Sequence, residues 1–271
     1  MLEDTWEPAE LLPQVLQIAL RAGQAIMDVY ADLDHVVEYK NDDSPLTKAD
    51  LASHRIISDS LAAICSKVPV LSEESTEIPF EVRRNWHSFW LVDPLDGTKE
   101  FLNRNGEFTV NIALMRGGSP ALGVVYVPAT DIAYFAVEGA GARKSERGIV
   151  KPIHTLKKHN PAPKVVISRW HGNGMDRMHA DLEKIGVDPS LCEFVPMGSS
   201  LKFCLIAEGS ADLYLRNWPT MEWDTAAAQY VLEMAGGSVS DLEGNRLKYN
   251  KPVLRNPSFL ASAARLISPP V

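Results

Sequence analysis

The sequence lacks any apolar run approaching the ~20 residues a membrane-spanning helix needs, so no integral membrane segment is expected. Cysteine is scarce. Cys65, Cys192 and Cys204 are odd in number, far apart and without CxxC spacing, which argues against a disulfide framework. Each has apolar neighbours and reads as a reduced core thiol. Excess positive charge is also missing: 27 basic residues face 35 acidic ones, a formal net charge of −8. A general nucleic-acid binder needs a basic face to displace counterions, so that class is excluded. None of the seven histidines pairs with another at ligand spacing, which disfavours a zinc or iron site. No repeat of fixed period and no low-complexity tract is present. Met1 to Glu10 is acidic, without the basic region that opens a signal peptide, and the expected setting is cytoplasmic.

What is present is ordinary globular material. The 271 residues, 45% hydrophobic and 23% charged, suffice for one large domain or two closely packed lobes. Leu11 to Ala31 carries apolar residues at a helical period, and a second helix is expected from Thr47, a good N-cap, through Ile64. Val68 to Leu71 reads as a strand ending in Ser72-Glu73-Glu74-Ser75. Phe89 to Val92 reads as another, running into Asp93-Pro94-Leu95-Asp96-Gly97-Thr98. A meander follows over Phe108 to Met115, Ala121 to Val127 and Ile132 to Val137. Pro161 to Pro163 is expected to link a first lobe, about 1–160, to a second, about 161–271. In that second stretch strands at Val165 to Ser168, Glu193 to Pro196, Ala211 to Leu215 and Phe259 to Ala263 alternate with helices. The helices are expected at Met175 to Ile185, Ser200 to Ala207 and Asp224 to Ala235. Helices, then a meander, then alternation predicts layered α and β rather than one doubly wound sheet.

Carboxylates fall where this reading places strand ends. Glu73 closes one apolar strand, Asp93 and Asp96 close another, and Asp224 opens a helix. Charges at the mouths of buried strands are costly unless paired or bound to a metal. An all-oxygen set suits a hard cation, magnesium or manganese. Two such ions, about 3.5–4 Å apart, can clamp the attacking and leaving oxygens of a phosphoryl group. Glu73, Asp93, Asp96 and Asp224 would supply the ligands. Gly97-Thr98 would add backbone N–H groups for a phosphate oxygen if a helix begins there, although Asp-Gly is equally a common turn.

These segments together resemble the inositol-monophosphatase superfamily. The resemblance rests on Leu71-Ser72-Glu73-Glu74-Ser75, Asp93-Pro94-Leu95-Asp96-Gly97-Thr98 and Trp223-Asp224-Thr225-Ala226-Ala227, in the family's order and at comparable spacing. It implies a layered αβαβα sugar-phosphatase fold. It also implies two or three magnesium ions, with manganese as a substitute, held by Glu73, Asp93, Asp96, Asp224 and the Leu95 carbonyl. Asp50, in Pro45-Leu46-Thr47-Lys48-Ala49-Asp50, would work with Thr98 to orient and deprotonate the attacking water. Without the resemblance, Asp50 reads as a first-turn acid favoured by the helix dipole.

Two details point to a branch. Gly97-Thr98 is followed by Lys99-Glu100-Phe101, the form typical of the 3′(2′),5′-bisphosphate nucleotidases, and Gly198-Ser199-Ser200-Leu201-Lys202-Phe203-Cys204 resembles their nucleotide-binding segment. Asn217 stands seven residues before Asp224, where inositol-specific members commonly carry a glutamate. The resemblance thus implies lithium-sensitive hydrolysis of adenosine 3′,5′-bisphosphate (PAP) to AMP and phosphate, in disposal of a by-product of sulfate activation. The activated sulfate donor PAPS is a second candidate substrate. Gly97 and Thr98 would hold the scissile phosphate, and Lys99 is a further substrate-binding candidate. Gly198, Ser199, Ser200 and Lys202 would hold the nucleotide, although Lys202 alone also reads as a surface lysine. Trp218, Trp223 or Arg169-Trp170-His171 could approach the base, or simply pack. The alternatives are an inositol or broad sugar-phosphate phosphatase and a phosphonucleotide sensor without turnover. For this branch a loose attachment to the inner membrane face is compatible but not required, and oligomeric state is left open.

Overall fold

The computed structural model describes residues 7–32, 37–39, 45–75, 78–156, 160–169 and 175–263. Helix α1 (Pro8–Ala31) starts with proline at its first position, where the missing N–H costs nothing, and buries Leu11, Val15, Ile18, Ala22 and Ile26 along one face. A short antiparallel pair, β1 (Val37–Tyr39) and β2 (Pro45–Thr47), leads into α2 (Lys48–Ile64). Next come β3 (Val70–Ser72), a single helical turn α3 (Phe80–Arg83), β4 (Ser88–Asp96) and the short α4 (Thr98–Leu102). The meander comprises β5 (Thr109–Arg116), β6 (Ser119–Val127), β7 (Ile132–Val137), β8 (Gly141–Glu146) and β9 (Ile149–Pro152). Then follow β10 (Lys164–Ser168), α5 (Met175–Lys184), β11 (Glu193–Met197), α6 (Leu201–Ala207), β12 (Leu213–Arg216), α7 (Ala226–Met234), β13 (Ser238–Asp241) and β14 (Phe259–Ser262).

Strands β3 to β9 form one seven-stranded sheet in sequence order, antiparallel except for the parallel pair β3–β4. The second sheet has five strands in the order β11-β10-β12-β14-β13, with β10 parallel to both of its neighbours. Side-chain alternation along β4 explains the layering. Trp90 and Val92 face a core shared with α1 and α2, whereas Phe89 and Leu91 face a core shared with α6 and α7. That second core continues to Tyr214, Val239, Phe259 and Ala261 of the five-stranded sheet. On the far side of that sheet Val165, Leu213, Leu215 and Leu260 pack against Leu182 of α5. The order of layers is therefore αβαβα, as expected. The structure extends the meander beyond Val137 by β8 and β9, for which no strand was expected. Cys65 and Cys204 are buried free thiols, but Cys192 is only half-buried, so it is not the core thiol expected.

Candidate active site

The acidic residues converge because β3 and β4 run parallel and in register. Ser72 pairs with Val92, and the Glu73 N–H donates to the Val92 carbonyl at 3.1 Å, which sets Glu73 beside Asp93. Asp93 and Asp96 are three residues apart and would point to opposite faces of a regular strand. They do not, because the register against β5 shifts between them: Asp93 pairs with Asn111 and Asp96 with Thr109. The extra residue of this bulge returns both carboxylates to the face that meets α6. Asp224 arrives just before α7, with its Oδ2 accepting the Met221 N–H at 2.8 Å.

Glu73, Asp93 and Asp224 each offer a carboxylate oxygen, and these oxygens lie within 4.8 Å of one another. Asp96 lies outside this triplet, and its Oδ2 accepts the Ser200 N–H at 2.6 Å and Asn111 Nδ2 at 3.4 Å. Burial, reinforced by Glu73, Asp96 and Asp224, pushes the Asp93 carboxyl well above its ordinary range. Asp224 is raised well above it too, by burial and by repulsion from Asp96 and Glu73. Burial raises Asp96 to about 6, against the opposing pull of Lys202. Hard oxygen donors crowded at mutual repulsion are a set that a divalent cation would relieve, and no histidine or thiol belongs to it.

Asp50 is held by its own helix start. Thr47 N–H and Thr47 Oγ1 both donate to Asp50 Oδ2, at 2.7 and 2.6 Å, while Thr47 Oγ1 accepts the Ala49 N–H. Its other oxygen, Oδ1, accepts Thr98 Oγ1 at 3.5 Å, and Thr98 Oγ1 lies equally far from the Leu95 carbonyl. Burial raises Asp50 to about 6. The first-turn acid and the partner of Thr98 are thus the same residue, with one oxygen for each role.

A cleft of about 360 Å³ opens over these groups, lined by Glu73, Asp96, Gly97, Thr98, Lys99 and Asp224 on one side and by Ser199, Ser200, Lys202, Tyr214 and Arg216 on the other. Gly97 has φ +93°, a conformation that favours glycine, and Lys99 is exposed. The Gly198–Lys202 segment brings Ser199, Ser200 and Lys202 to the cleft and makes contacts that the sequence does not reveal. Gly198 N–H donates to Glu107 Oε2 at 2.7 Å and Ser200 N–H donates to Asp96, so both are taken by protein carboxylates. Lys202 is no surface lysine: it is 5% exposed, and its Nζ donates to the Met197 and Ser199 carbonyls at 3.2 and 2.5 Å. Burial brings its pKa down to about 8.

Arg216, at the end of β12, is a cleft cation that the sequence reading passed over. Its Nη1 donates to Ser168 Oγ and its Nε to the Trp218 carbonyl at 3.1 Å. No motif marks it; only the strand order places it there. Asn217 turns away to donate to Asp181 of α5 at 2.9 Å. Trp218 is 48% exposed and lines a smaller hollow of about 160 Å³ that shares Ser168 and Arg216 with the cleft. Trp223 packs against the central core. Trp170 and His171 lie outside the described residues.

A layered fold with clustered carboxylates at a sheet bulge, facing basic groups across a cleft, is the arrangement of a metal-assisted phosphatase. The chain belongs to the inositol monophosphatase family, whose profile it matches over residues 7–269. It is 48% identical over 252 residues to the 3′(2′),5′-bisphosphate nucleotidase CysQ of Salmonella typhimurium, covering 92% of this chain and 98% of that protein. The Escherichia coli K12 CysQ is also 48% identical, over 254 residues, covering 93% and 99%. Among solved structures, CysQ from Bacteroides thetaiotaomicron superposes with a TM-score of 0.79 at 40% identity, over 93% of this chain and 96% of that one.

Proposed function

We propose that this protein is a 3′(2′),5′-bisphosphate nucleotidase that hydrolyses adenosine 3′,5′-bisphosphate to AMP and inorganic phosphate. The observation that carries the reading is the cleft itself: Glu73, Asp96 and Asp224 at one wall, with Asp93 buried behind them, and two cations, Lys202 and Arg216, at the other. A substrate with two phosphates matches that polarity, and nucleotidase relatives at 48% identity support the choice over inositol phosphate. Asn217, turned to Asp181, offers nothing to an inositol ring.

Glu73, Asp93, Asp96, Asp224 and the Leu95 carbonyl would hold magnesium, as family membership implies. We propose two or three ions, with manganese as a substitute. When bound, such ions supply Lewis-acid polarisation of phosphoryl oxygens and lower the pKa of water. The chain's own residues do the rest. Thr98, between Asp50 Oδ1 and the Leu95 carbonyl, orients the attacking water. Asp50, with a pKa near 6, is matched to take the proton at neutral pH. The water oxygen bonds to phosphorus, the P–O3′ bond breaks, and the 3′ oxygen leaves as the hydroxyl of AMP after protonation. Gly97 and Lys99 flank the scissile phosphate. Arg216, with its planar fork, takes the second phosphate, and Ser199 and Ser200 face the sugar. Lys202 acts from beneath, fixing the loop and supplying positive potential. The proposed organisation keeps a first part, about 1–160, that carries Glu73, Asp93, Leu95 and Asp96, and a nucleotide-facing part, about 161–271, that adds Asp224 to the metal set. A cytoplasmic setting accords with three free cysteines, and among the described residues no helix is long and apolar enough to cross a membrane.

The test is phosphate release from adenosine 3′,5′-bisphosphate and from inositol 1-phosphate, side by side with magnesium, with chelator and with lithium. Preference for the nucleotide, lost with chelator and inhibited by lithium, is the expected result. Preference for inositol phosphate would overturn the substrate assignment while leaving the metal chemistry standing. Including PAPS in the panel defines whether the sulfate donor is also cleaved.

A further inference from the structure

Glu107 lies between α4 and β5 and belongs to none of the motifs above. Its carboxylate nevertheless reaches the second sheet at two points. Oε2 accepts the Gly198 N–H at 2.7 Å and Arg169 Nε at 3.1 Å, while Oε1 accepts Arg169 Nη2. Arg169 follows β10 and Gly198 follows β11, so one side chain grips the carboxyl ends of two adjacent parallel strands. Arg169 Nη2 also donates to the Pro196 carbonyl at 3.2 Å, which closes the grip over β11. The contact leaves no slack. A Cβ at Gly198 would stand 2.7 Å from the Glu107 carbonyl and 2.4 Å from Glu100 Cγ.

Both held ends lead directly into the nucleotide side of the cleft. Ser168, next to Arg169, accepts Arg216 Nη1, the cation that faces the second phosphate. Ser199, next to Gly198, sits at φ +45°, a left-handed conformation that a serine rarely adopts unaided and that the flanking bonds of Gly198 and Ser200 hold in place. Glu107 does not line the cleft. Among the described residues its carboxylate bonds to Arg169 and Gly198, not to the carboxylate triplet or the water-activating pair.

We propose that Glu107 is a positioning residue for the nucleotide: through Arg169 and Gly198 it fixes Arg216 and Ser199 where the second phosphate and the sugar bind. The proposal rests on the nucleotidase reading above and adds a residue through which substrate selectivity is set at a distance. Its signature is a split. Ground contacts to the nucleotide weaken, so KM rises, while the chemical step at Asp93, Asp50 and Thr98 is unaffected.

The test compares wild type with Glu107→Ala, Glu107→Gln and Arg169→Ala in the full chain with magnesium. Initial rates are measured on adenosine 3′,5′-bisphosphate and on p-nitrophenyl phosphate, which has neither nucleoside nor second phosphate. Glu107→Ala removes all three carboxylate bonds to Arg169 and Gly198 and is expected to raise KM for the bisphosphate about tenfold with kcat within about twofold, and to leave kcat/KM for p-nitrophenyl phosphate within about twofold, the size of one weakened charge-assisted contact to the nucleotide. Glu107→Gln keeps an acceptor for Gly198 and should recover part of the KM. Arg169→Ala, at a side chain 36% exposed, should reproduce most of the rise even if Glu107→Ala folds poorly. An unchanged KM in Arg169→Ala and Glu107→Gln, or an equal loss on both substrates, overturns the proposal. Wild type inactive on the bisphosphate would instead overturn the nucleotidase reading, and this one with it.

Discussion

Replacing Asp93 with asparagine removes one charge from the triplet it forms with Glu73 and Asp224, in a residue only 1% exposed. Two unit charges within 4.8 Å interact by about 3.5 kcal/mol at an effective dielectric of 20. Part of that repulsion is already relieved by protonation, since burial and its neighbours hold Asp93 far above the usual range. The sign follows. A carboxyl whose folded pKa is raised stabilises the metal-free protein at pH values below the unfolded pKa, and that contribution is lost as pH rises through the folded value. At pH 8 without metal, Asp93→Asn should therefore be more stable than wild type by about 2 kcal/mol, or about 4–8 °C in Tm. Near pH 4 the difference should vanish. Saturating magnesium reverses the order. A ligand at 100 times its Kd stabilises wild type by about 2.7 kcal/mol, and the variant should gain little and hydrolyse nothing. Differential scanning fluorimetry at both pH values, with chelator and with magnesium, reads all four states. A variant less stable than wild type at pH 8 in chelator, with an undiminished magnesium shift, would refute the triplet as a metal site.

Further outcomes follow from single contacts. Asp50→Asn should lower kcat by on the order of 10²–10⁴ and flatten the acid limb that Asp50, near 6, imposes on the pH–rate profile; a rate close to wild type would remove Asp50 from the proton path. Gly198→Ala drives a Cβ to 2.4 Å from Glu100 Cγ and 2.7 Å from the Glu107 carbonyl, so a loss of about 1–3 kcal/mol in urea unfolding and a raised nucleotide KM are expected. An alanine variant matching wild type in both would mean the two sheets separate more readily here than their contacts imply.

The sequence alone was enough for the class and the layering. Its carboxylates were legible because Glu73, Asp93, Asp96 and Asp224 stand at the ends of apolar runs, where only pairing or a cation makes a charge tolerable. The capping box of Thr47 and Asp50 was half legible: the N-cap threonine is a local signal, but the bond from Asp50 to Thr98 spans a long stretch of chain. What the sequence leaves open depends on contacts between distant segments. Gly198 reads as part of a nucleotide-holding segment, and its missing side chain also makes room for Glu100 and Glu107. Lys202 reads as a cation reaching outward, yet it is buried beneath its own loop, tied to the carbonyls of Met197 and Ser199. Strands β8 and β9 carry no alternation to read: β8 is Gly141-Ala142-Arg143-Lys144-Ser145-Glu146 with Ala142 alone fully buried, and β9 is four exposed residues, Ile149-Val150-Lys151-Pro152. Arg216 and Glu107 carry no motif at all. Local chemistry, period and charge placement are written along the chain. Which wall of the cleft a residue joins is decided by a bulge between Asp93 and Asp96 and by the order of strands in the second sheet, and neither exists until the sheets pack.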